Sequence, residues 1–385
     1  MKVTIDSKVF KRLADAAILI ASKSSINGAQ MVRFDWSTNQ MRILSTNFDE
    51  YFEAVMSADS VANDLPFRSV ELDYPLLKQI YNTSGNDVTI SIDEHGLFNL
   101  CSGKKKVSVG SYIVDENSID KSVSINKDFQ DCFEIENYKL IEITSKLDRF
   151  RSQTNIKPVL CGFSIDCTEK WIYAIDGYHV AIRRMNDVSF KNSETKFVVH
   201  GGITVMAKKY FNKDSSTIVR FNNKYVQYIT DNITYTTRII EGTPHPIHQA
   251  IPTNNRATFE FEADEILSIC NDYSKYISEK SPSPIVLFNV ENDSKFYIGL
   301  QSSRIQVCTE TKAKNETGIP IKMGFNNKFA SDCFSVFKGG TCKVSYASEL
   351  YPLTLENDEY LSLLLPVRLP SQGIGGLVEL ANKSA

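Results

Sequence analysis

Apolar residues recur at helical spacing in three parts of the chain. These parts are 9–20, 140–150 and 266–277, and in each of them the apolar positions lie mostly three or four residues apart. Leu140, Ile143, Leu147 and Phe150 show the spacing clearly. A single apolar face with a period near 3.6 residues predicts an amphipathic helix. The three predicted helices begin about 130 residues apart, so we expect an internal repeat.

The segments that follow these helices also repeat. Each helix is followed by short strand-like runs, then by a shorter helix at 75–81, 204–211 or 327–337, and then by alternating apolar and polar residues typical of strands. Turns such as 168–170 and 292–293 suit hairpins. We therefore predict an α+β protein of three tandem similar domains, each with two helices and about eight strands. The predicted domains are 1–128, 129–253 and 254–370, followed by a tail at 371–385.

Composition narrows the class of protein. With 42% hydrophobic and 23% charged residues, the 385-residue chain is typical of a folded globular protein rather than a disordered one. No apolar run approaches the ~18–20 residues of a membrane helix, and an N-terminus that alternates and carries Asp6 is unlike a signal peptide. We expect a cytoplasmic protein without membrane contact. The eight cysteines form no Cys-x-x-Cys pair and are interpreted as reduced and mostly buried, and we predict no metal and no cofactor.

The charge pattern leaves two interpretations open. A net charge of −3 excludes binding of nucleic acid through bulk positive charge, but it allows a local basic surface. The basic residues on or beside the predicted helices are Lys11, Lys23, Lys139, Lys146, Arg149, Arg151, Lys208, Lys209, Lys275 and Lys328. Each could simply be solvated, and acids such as Glu142 and Asp148 dilute the pattern. Alternatively, the helices together present a basic surface to DNA phosphates without reading the base sequence.

Four short segments carry a more specific signal. They are YAIDGYHVA at 173–181, IEG at 240–242 with IP at 251–252, GFN at 324–326, and LPVRL at 365–369. In this order they resemble the bacterial DNA sliding clamp family, the beta subunit of DNA polymerase III. Any one of them is a weak signal, but four in the family's order on a threefold repeat are specific. The resemblance covers residues 1 to about 369 and implies the DNA clamp fold, in which two chains close head-to-tail into a six-domain ring.

The resemblance also implies a function and three sites. It implies a non-catalytic processivity factor that encircles double-stranded DNA and tethers DNA polymerase, an ATP-dependent clamp loader and other proteins that carry clamp-binding peptides. The basic residues named above would face the DNA. The homodimer interface would comprise Ile80, Val107, Val109, Tyr276 and Ile277. Partner peptides would bind in a pocket between domains 2 and 3, formed by Leu160, Ile175, Gly177, Tyr178, His179, Val180, Pro252, Asn326, Phe329, Leu363, Leu365, Pro366, Val367, Arg368 and Leu369. For Val107 and Val109, the alternative is that they face the core of their own domain.

The sequence departs from the family pattern in three places. Tyr178-His179 stands where the family has His-Arg, so a permanent cation gives way to one expected to be mostly neutral at pH 7. Leu365 and Val367 replace two adaptable methionines, so the preference for peptides is expected to differ. The tail beyond 370 is interpreted as a flexible extension, the alternative being that Ile374 or Leu377 folds back and competes with partner peptides.

Two other functions are weighed against a clamp. A hydrolase could use Asp176 and His179 as a general-base pair. However, no Gly-x-Ser-x-Gly nucleophile motif, phosphate-binding loop or metal-spaced cluster accompanies them. A scaffold protein with the clamp fold but without a DNA-encircling role is the second alternative, and retention on circular DNA would distinguish it from a clamp.

Overall fold

The computed structural model describes residues 2–37, 40–57, 68–82, 85–115, 118–119, 121, 128–154, 156–191, 194–277, 284–290, 294–302, 304–369 and 373–383. The predicted turn at 292–293 and the tail residues 371–372 and 384–385 lie outside the described residues.

The helices and strands follow one another in a repeating order. The first repeat contains β1 (Lys2–Asp6), α1 (Ser7–Ala21), β2 (Met31–Ser37), β3 (Gln40–Thr46), β4 (Glu50–Ser57), β5 (Ser69–Asp73), α2 (Tyr74–Ile80), β6 (Asp87–Ile92), β7 (Leu97–Ser102), β8 (Lys105–Gly110) and β9 (Tyr112–Ile113). The second contains β10 (Gln130–Glu136), α3 (Asn137–Leu147), β11 (Gly162–Asp166), β12 (Trp171–Ile175), β13 (His179–Arg184), β14 (Lys196–His200), α4 (Gly202–Tyr210), β15 (Ser216–Phe221), β16 (Tyr225–Thr230) and β17 (Ile233–Ile240). The third contains β18 (Ala257–Glu262), α5 (Ala263–Ser274), β19 (Ile285–Asn289), β20 (Lys295–Gln301), β21 (Gln306–Lys314), β22 (Lys322–Phe325), α6 (Asn327–Ser335), β23 (Thr341–Tyr346), β24 (Leu353–Glu356), β25 (Tyr360–Leu364) and a further helix, α7 (Gly375–Lys383).

Strand pairing repeats as faithfully as the element order. In the first repeat β1, β6, β7 and β8 form one antiparallel sheet, while β5, β2, β3 and β4 form another. The second repeat pairs β10-β15-β16-β17 and β14-β11-β12-β13. The third pairs β18-β23-β24-β25 and β22-β19-β20-β21. The predicted α+β fold with three similar repeats is confirmed. The domain boundaries at 128/129 and 253/254 stay predictions.

Each long helix begins directly after the first strand of its repeat. That first strand pairs with β6, β15 or β23 in the three repeats. The amide of the first helical residue donates to the carbonyl of the residue just before this partner strand. The bonds are Ser7 to Asn86 at 2.8 Å, Asn137 to Ser215 at 2.8 Å and Ala263 to Gly340 at 3.0 Å. In α1 the Asp6 carboxylate also accepts from the amides of Lys8 and Val9, which are two of the donors that a helix start leaves unpaired. The same local solution therefore occurs three times in one chain.

The described chain packs as two compact units. The first comprises 1–141, 188–192 and 202–239, and within it β17 pairs antiparallel with β4, so the strands of two successive repeats join into one sheet. The second unit comprises 142–187, 193–201 and 240–385, and within it β25 pairs antiparallel with β13 in the same way. Each joint uses the last strand of a later repeat and the fourth strand of the repeat before it.

Two further expectations meet the structure here. The tail is not a flexible extension, because its described part contains α7, with Leu377 fully buried and Ile374 and Ala381 almost so. Five of the eight cysteines are buried, as expected. Among the described helices, none has the length and apolar character needed to cross a membrane.

A buried carboxylate stabilises the joint in the first unit. Glu50 begins β4 and is 3% exposed. Its oxygens accept from Lys23 at 2.7 Å, Asn47 at 3.0 Å and the Tyr235 hydroxyl, on β17, at 2.5 Å. Burial acts to raise the pKa of the Glu50 carboxyl, but the charge of Lys23 and these hydrogen bonds together hold that pKa below its ordinary value. Glu50 therefore remains charged and ties β4 to β17.

We predict that Glu50→Ala lowers the free energy of unfolding by about 3 kcal/mol, because Lys23 and the buried Tyr235 hydroxyl lose their acceptor. Chemical denaturation followed by circular dichroism measures the change. Glu53→Ala is the matched control on the same strand, since Glu53 is 25% exposed and its ion pair with Arg42 is worth at most ~1 kcal/mol. Because the pKa of Glu50 is lowered on folding, its contribution is present above pH ~4.3 and lost as pH falls through the folded value. Equal losses in the two variants would contradict a special role for Glu50.

Candidate functional site

A tight turn between β12 and β13 presents one tyrosine to solvent. Gly177 has φ of 96°, a left-handed conformation that glycine adopts without strain. Beside it, the Asp176 carboxylate accepts from the backbone amides of Tyr178 at 2.8 Å and His179 at 3.0 Å. The turn leaves the Tyr178 side chain 61% exposed while directing His179 inward, where it is 1% exposed. Sequence analysis placed both residues in the pocket, but the structure gives them opposite environments.

The His179 imidazole lies inside a stack of aromatic rings. The Phe150 ring is 4.4 Å from it on one side and the Phe329 ring of α6 is 4.6 Å away on the other. Phe329 also stacks with Tyr178, with ring centroids 5.5 Å apart and planes 12° apart. The exposed Tyr178 ring therefore rests on the half-buried Phe329 ring, which restricts how it can move.

Both ring nitrogens of His179 face carboxylates. Nδ1 is 2.9 Å from Asp176 Oδ1, and Nε2 is 3.6 Å from Asp332 Oδ2 on α6. The second distance is an ion-pair distance rather than a hydrogen bond. Burial acts to lower the pKa of His179, but Asp176 and Asp332 together raise it above its ordinary value. The expectation of a mostly neutral His179 does not fit this environment, because only an imidazolium carries a proton on both nitrogens.

An apolar floor lies beside the stack. Tyr173, Ile175, Val180, Ile182, Ile247, Leu361 and Leu363 form one buried cluster, and Leu160, Trp171 and Ile251 pack against it. The floor exists because β13 pairs with β25, which places Val180 opposite Leu363. The half-buried Leu160, Trp171 and Ile251 leave part of this apolar cluster accessible, which suits contact with one or two large apolar side chains of a peptide.

The segment that follows β25 runs along the same region. The amide of Leu365 donates to the Tyr178 carbonyl at 3.3 Å, and the amide of Val367 donates to the Gly324 carbonyl at 2.8 Å. Leu365 and Val367 are 36% and 40% exposed. We call residues 365–369 the pocket wall. Its hydrogen bonds fix its backbone, and its apolar side chains stay accessible.

Three further predicted pocket residues lie around the floor and the wall. Asn326 caps α6 by accepting from the amides of Lys328 and Phe329, so it supports Phe329. Pro252 directly follows Ile251 of the floor, and Arg368 is exposed on the wall. Sequence reasoning missed Asp332, although Phe329 and Asp332 are three residues apart on one helix and so share a face.

Most of the predicted DNA-facing cations lie close to acids. Lys139, Lys146 and Lys275 pair with Glu136, Glu142 and Asp272 at 3.2, 2.8 and 2.9 Å. In the described residues Lys11, Lys208, Lys209 and Lys328 are exposed and make no ion pair.

Two of the predicted cations have structural positions instead. Lys23 binds the buried Glu50 at 2.7 Å. Arg151 is only 17% exposed, pairs with Asp148 and donates to the Cys161 carbonyl at 2.6 Å. Both side chains are held by these neighbouring groups, so their charges are less accessible to DNA phosphates.

A groove of about 610 Å³ lies between α3, α5 and α6 in the second unit. Its lining carries both signs of charge, with Lys146, Arg149 and Lys338 beside Glu142 and Asp264. Arg149 is 51% exposed and reaches Asp332 at 3.6 Å and the Ser335 hydroxyl at 3.2 Å. A phosphate would be attracted to this groove only at positions closer to the lysine and arginine side chains than to the carboxylates.

Two of the predicted interface residues lie on the edge strand β8, and the other three lie at or just beyond the end of a helix. Val107 and Val109 pair with Leu100 and Phe98 and share their face of the sheet, but unlike those two they are only half-buried. Ile80 is 7% exposed at the end of α2. Tyr276, just beyond α5, is 46% exposed, and Ile277 is half-buried.

The geometry does not favour the hydrolase alternative. His179 is buried and both of its nitrogens face carboxylates, so it has no room to activate a substrate. In the described residues no three His, Cys, Asp or Glu side chains gather as a metal site would require.

Comparison with known proteins confirms the resemblance. The chain is 18% identical over 292 residues to the Beta sliding clamp of Staphylococcus aureus, covering 74% of this chain and 75% of the relative. It superposes on the DNA polymerase sliding clamp of Bacillus subtilis with a TM-score of 0.81 and 17% identity, and on the beta subunit of the Streptococcus pyogenes DNA polymerase with 0.81 and 16%. Each superposition covers 96% of this chain and all of the other. No family model matches the chain. The fold is that of the DNA polymerase sliding clamps.

We predict that the protein loses stability as pH rises above about 6.5. Because the pKa of His179 is raised on folding, its contribution is complete below the ordinary pKa of ~6.5 and disappears as pH rises through the folded value. The slope is at most ~1.4 kcal/mol per pH unit for one proton. Denaturation at several pH values should show this slope in the wild type and a flatter profile in His179→Gln. His245→Gln, at an exposed histidine, is the control and should keep the wild-type slope. Parallel profiles for wild type and His179→Gln would refute a buried imidazolium.

Proposed function

We propose that this protein, which has the fold of the bacterial DNA sliding clamps and resembles them in sequence, works as a sliding clamp. It would form a closed ring around duplex DNA, catalyse no reaction itself, and hold a DNA polymerase and other proteins on the DNA. The observation that carries the proposal is the pattern of strand pairing at the sheet edges.

Of the strands equivalent to those that form joints between repeats, two have no partner strand from another repeat in the described chain. The last strand of the second repeat, β17, pairs with β4, and the last strand of the third repeat, β25, pairs with β13. In the first repeat, the strand equivalent to β17 and β25 is β8, at the edge of the β1-β6-β7-β8 sheet. In the third repeat, the strand equivalent to β4 and β13 is β21, which is also at the edge of its sheet. By the equivalence of the repeats, β8 of one chain is the natural partner of β21 in another. Two chains joined this way have two such joints and close into a ring of six repeats.

The residues at these edges suit such a joint. An exposed edge strand is a template for pairing with another chain unless something covers it. Val107 and Val109 on β8 sit at the rim of their own core and would complete their burial against a partner. On the opposite edge, Tyr276 supplies an exposed aromatic ring close to the third repeat's sheet. Ile80 and Ile277 would pack behind these contacts.

In the proposed ring the helices face the enclosed DNA. Lys11, Lys208, Lys209 and Lys328 carry charge that no described acid neutralises, and Arg149 is held only loosely. Such cations attract phosphates in a way that depends on salt and not on base sequence. The acids among the helices keep the attraction weak, and weak contacts bridged by water allow sliding. The same mixture of charges favours a second candidate, a scaffold that kept the fold without encircling DNA.

The pocket of the second unit would receive short peptides from the polymerase, the clamp loader and other partners. The buried floor, the exposed Tyr178 and the accessible side chains of Leu365 and Val367 offer apolar contact, while Arg368 and Asp176 offer polar anchors. The clamp loader would use ATP to open the ring, because a closed ring cannot pass over circular DNA.

We predict that the protein is held on circular DNA by topology. After loading onto a nicked plasmid with the cognate loader and ATP, it should elute with the DNA in gel filtration at high salt, where contacts to phosphates are screened. Cutting the plasmid once should release it. A linear plasmid whose ends are blocked by bound streptavidin is the control and should retain it. Loss from the intact circle at the same salt would favour the scaffold, and a protein that stays monomeric at micromolar concentration would rule out the dimeric ring.

We predict that Tyr178→Ala weakens peptide binding about tenfold, which corresponds to ~1.4 kcal/mol of lost contact. The probe is a fluorescein-labelled pentapeptide with two large apolar side chains, and fluorescence polarisation measures its Kd. Tyr351→Ala removes an equally exposed tyrosine outside the pocket and should leave the Kd unchanged. Because Tyr178 is exposed, the thermal midpoint should hardly move. Equal affinity of wild type and Tyr178→Ala would count against this site.

A further inference from the structure

The helix α7 covers an apolar face of the sheet formed by β19, β20, β21 and β22. Ile374, Leu377 and Ala381 form one buried cluster with Val286 and Phe288 of β19 and Tyr297 of β20. The three residues from the α7 region are 5%, 0% and 2% exposed. A nine-residue helix does not persist alone in water, so α7 exists because of this contact.

The sheet contains a space that fits α7. Gly299 lies on β20, and a Cβ atom there would be 2.8 Å from Leu377 Cδ1 and 3.1 Å from Leu377 Cδ2. Real Cβ atoms do not approach that closely, so any larger residue at 299 would force Leu377 to shift. The absence of a side chain at this position is what lets Leu377 seat fully.

The pocket wall packs on the same face of the same sheet. Val286, beneath α7, pairs directly with Gly324 of β22, and cross-strand partners share one face. Above Gly324 lie the Val367 carbonyl and the Leu369 side chain, at 3.0 and 3.1 Å from a Cβ built there. Leu369 also packs against the α7 cluster. Leu369 therefore belongs both to the wall of the pocket and to the contact that holds α7.

We propose that α7 is an intramolecular clip that holds the pocket wall, residues 365–369, in the conformation that binds peptides. In the described residues, two backbone bonds link the wall to the rest of the chain, one to Tyr178 and one to Gly324. The packing of Leu369 against α7 supplies a third restraint at the far end of the wall. Leu377 acts through Leu369 as a positioning residue, without touching the peptide. The proposal rests on the pocket function proposed above.

The position of α7 also bears on the alternative that the tail competes with partners. Ile374 and Leu377 lie in a cluster that shares no residue with the buried cluster of the pocket floor. To enter the pocket, α7 would have to leave its seat over Gly299 and expose Val286, Phe288 and Tyr297. Competition is therefore opposed by the same contact that stabilises the clip.

The test compares two variants of α7, one with a new carboxylate on its buried face and one with a new carboxylate on its exposed face. Leu377→Asp places a charge in a fully buried site, which releases α7, whereas Asn382→Asp places the same charge on the exposed side of α7 and is the matched control. If the wall is then ordered for a tenth of the time, the apparent Kd for the labelled pentapeptide rises tenfold. We expect the Kd to rise about tenfold in Leu377→Asp and to stay unchanged in Asn382→Asp. In Leu377→Met, which keeps a large apolar side chain, we expect the wild-type Kd. Leu377→Ala is the milder variant if Leu377→Asp does not fold.

Hydrogen exchange at the Val367 amide provides a readout that does not need peptide binding. The amide donates to Gly324 at 2.8 Å, and releasing α7 should speed its exchange while the amides of β13 stay protected. Unchanged Val367 exchange in the Leu377 variants overturns the clip, and so does a tighter Kd, which would show that α7 competes with peptides. If wild type binds no peptide but Val367 still loosens in Leu377→Asp, the clip stands and the proposed pocket function fails.

Discussion

Backbone pairing between edge strands is the interaction on which this architecture depends. A sheet that ends in an unpaired strand leaves a row of amides and carbonyls for which only another strand is a complete partner. Within the described chain this partner comes twice from the next repeat, at β4–β17 and at β13–β25. Because the repeats are equivalent, a chain with two such joints is left with one donor edge and one acceptor edge. In the proposed ring, two chains joined head-to-tail satisfy both edges.

The first of these joints also contains charge. Glu50 at the start of β4 is buried and satisfied by Lys23, Asn47 and Tyr235, so the backbone pairing is reinforced by a network that spans both strands. Desolvation opposes part of the gain from these partners, but removing Glu50 would leave Lys23 and the Tyr235 hydroxyl without their acceptor. The network favours the observed register, because a shifted β17 would take the Tyr235 hydroxyl away from Glu50.

The candidate pocket depends on a different arrangement, in which a buried histidine and its aromatic neighbours support an exposed ring. His179 takes its place between Phe150 and Phe329 because Asp176 and Asp332 face its two nitrogens. Phe329 in turn supports Tyr178 at the surface. The other side of the pocket is a short irregular segment, and α7 lies on the sheet beside it. Phe329 thus supports Tyr178 on one side, and on the other side the proposed clip would position the wall through Leu369.

The sequence by itself determined the repeat and the α+β class, and it predicted where along the chain the pocket would lie. These features are local: a helix shows its period within a dozen residues, as Leu140, Ile143 and Leu147 do, and Gly177 and the wall at 365–369 are recognisable as short motifs. Burial lowers the pKa of His179 but Asp176 and Asp332 raise it above its ordinary value, and only the tertiary structure shows this because Asp332 lies far along the chain. The same is true of the burial of Arg151 against Cys161. Only the tertiary structure also shows that the tail forms a helix. Nine residues that would be disordered alone become α7, because Gly299 leaves room for Leu377. Periodicity is encoded by neighbours, whereas charge state and docking depend on groups that only folding brings together.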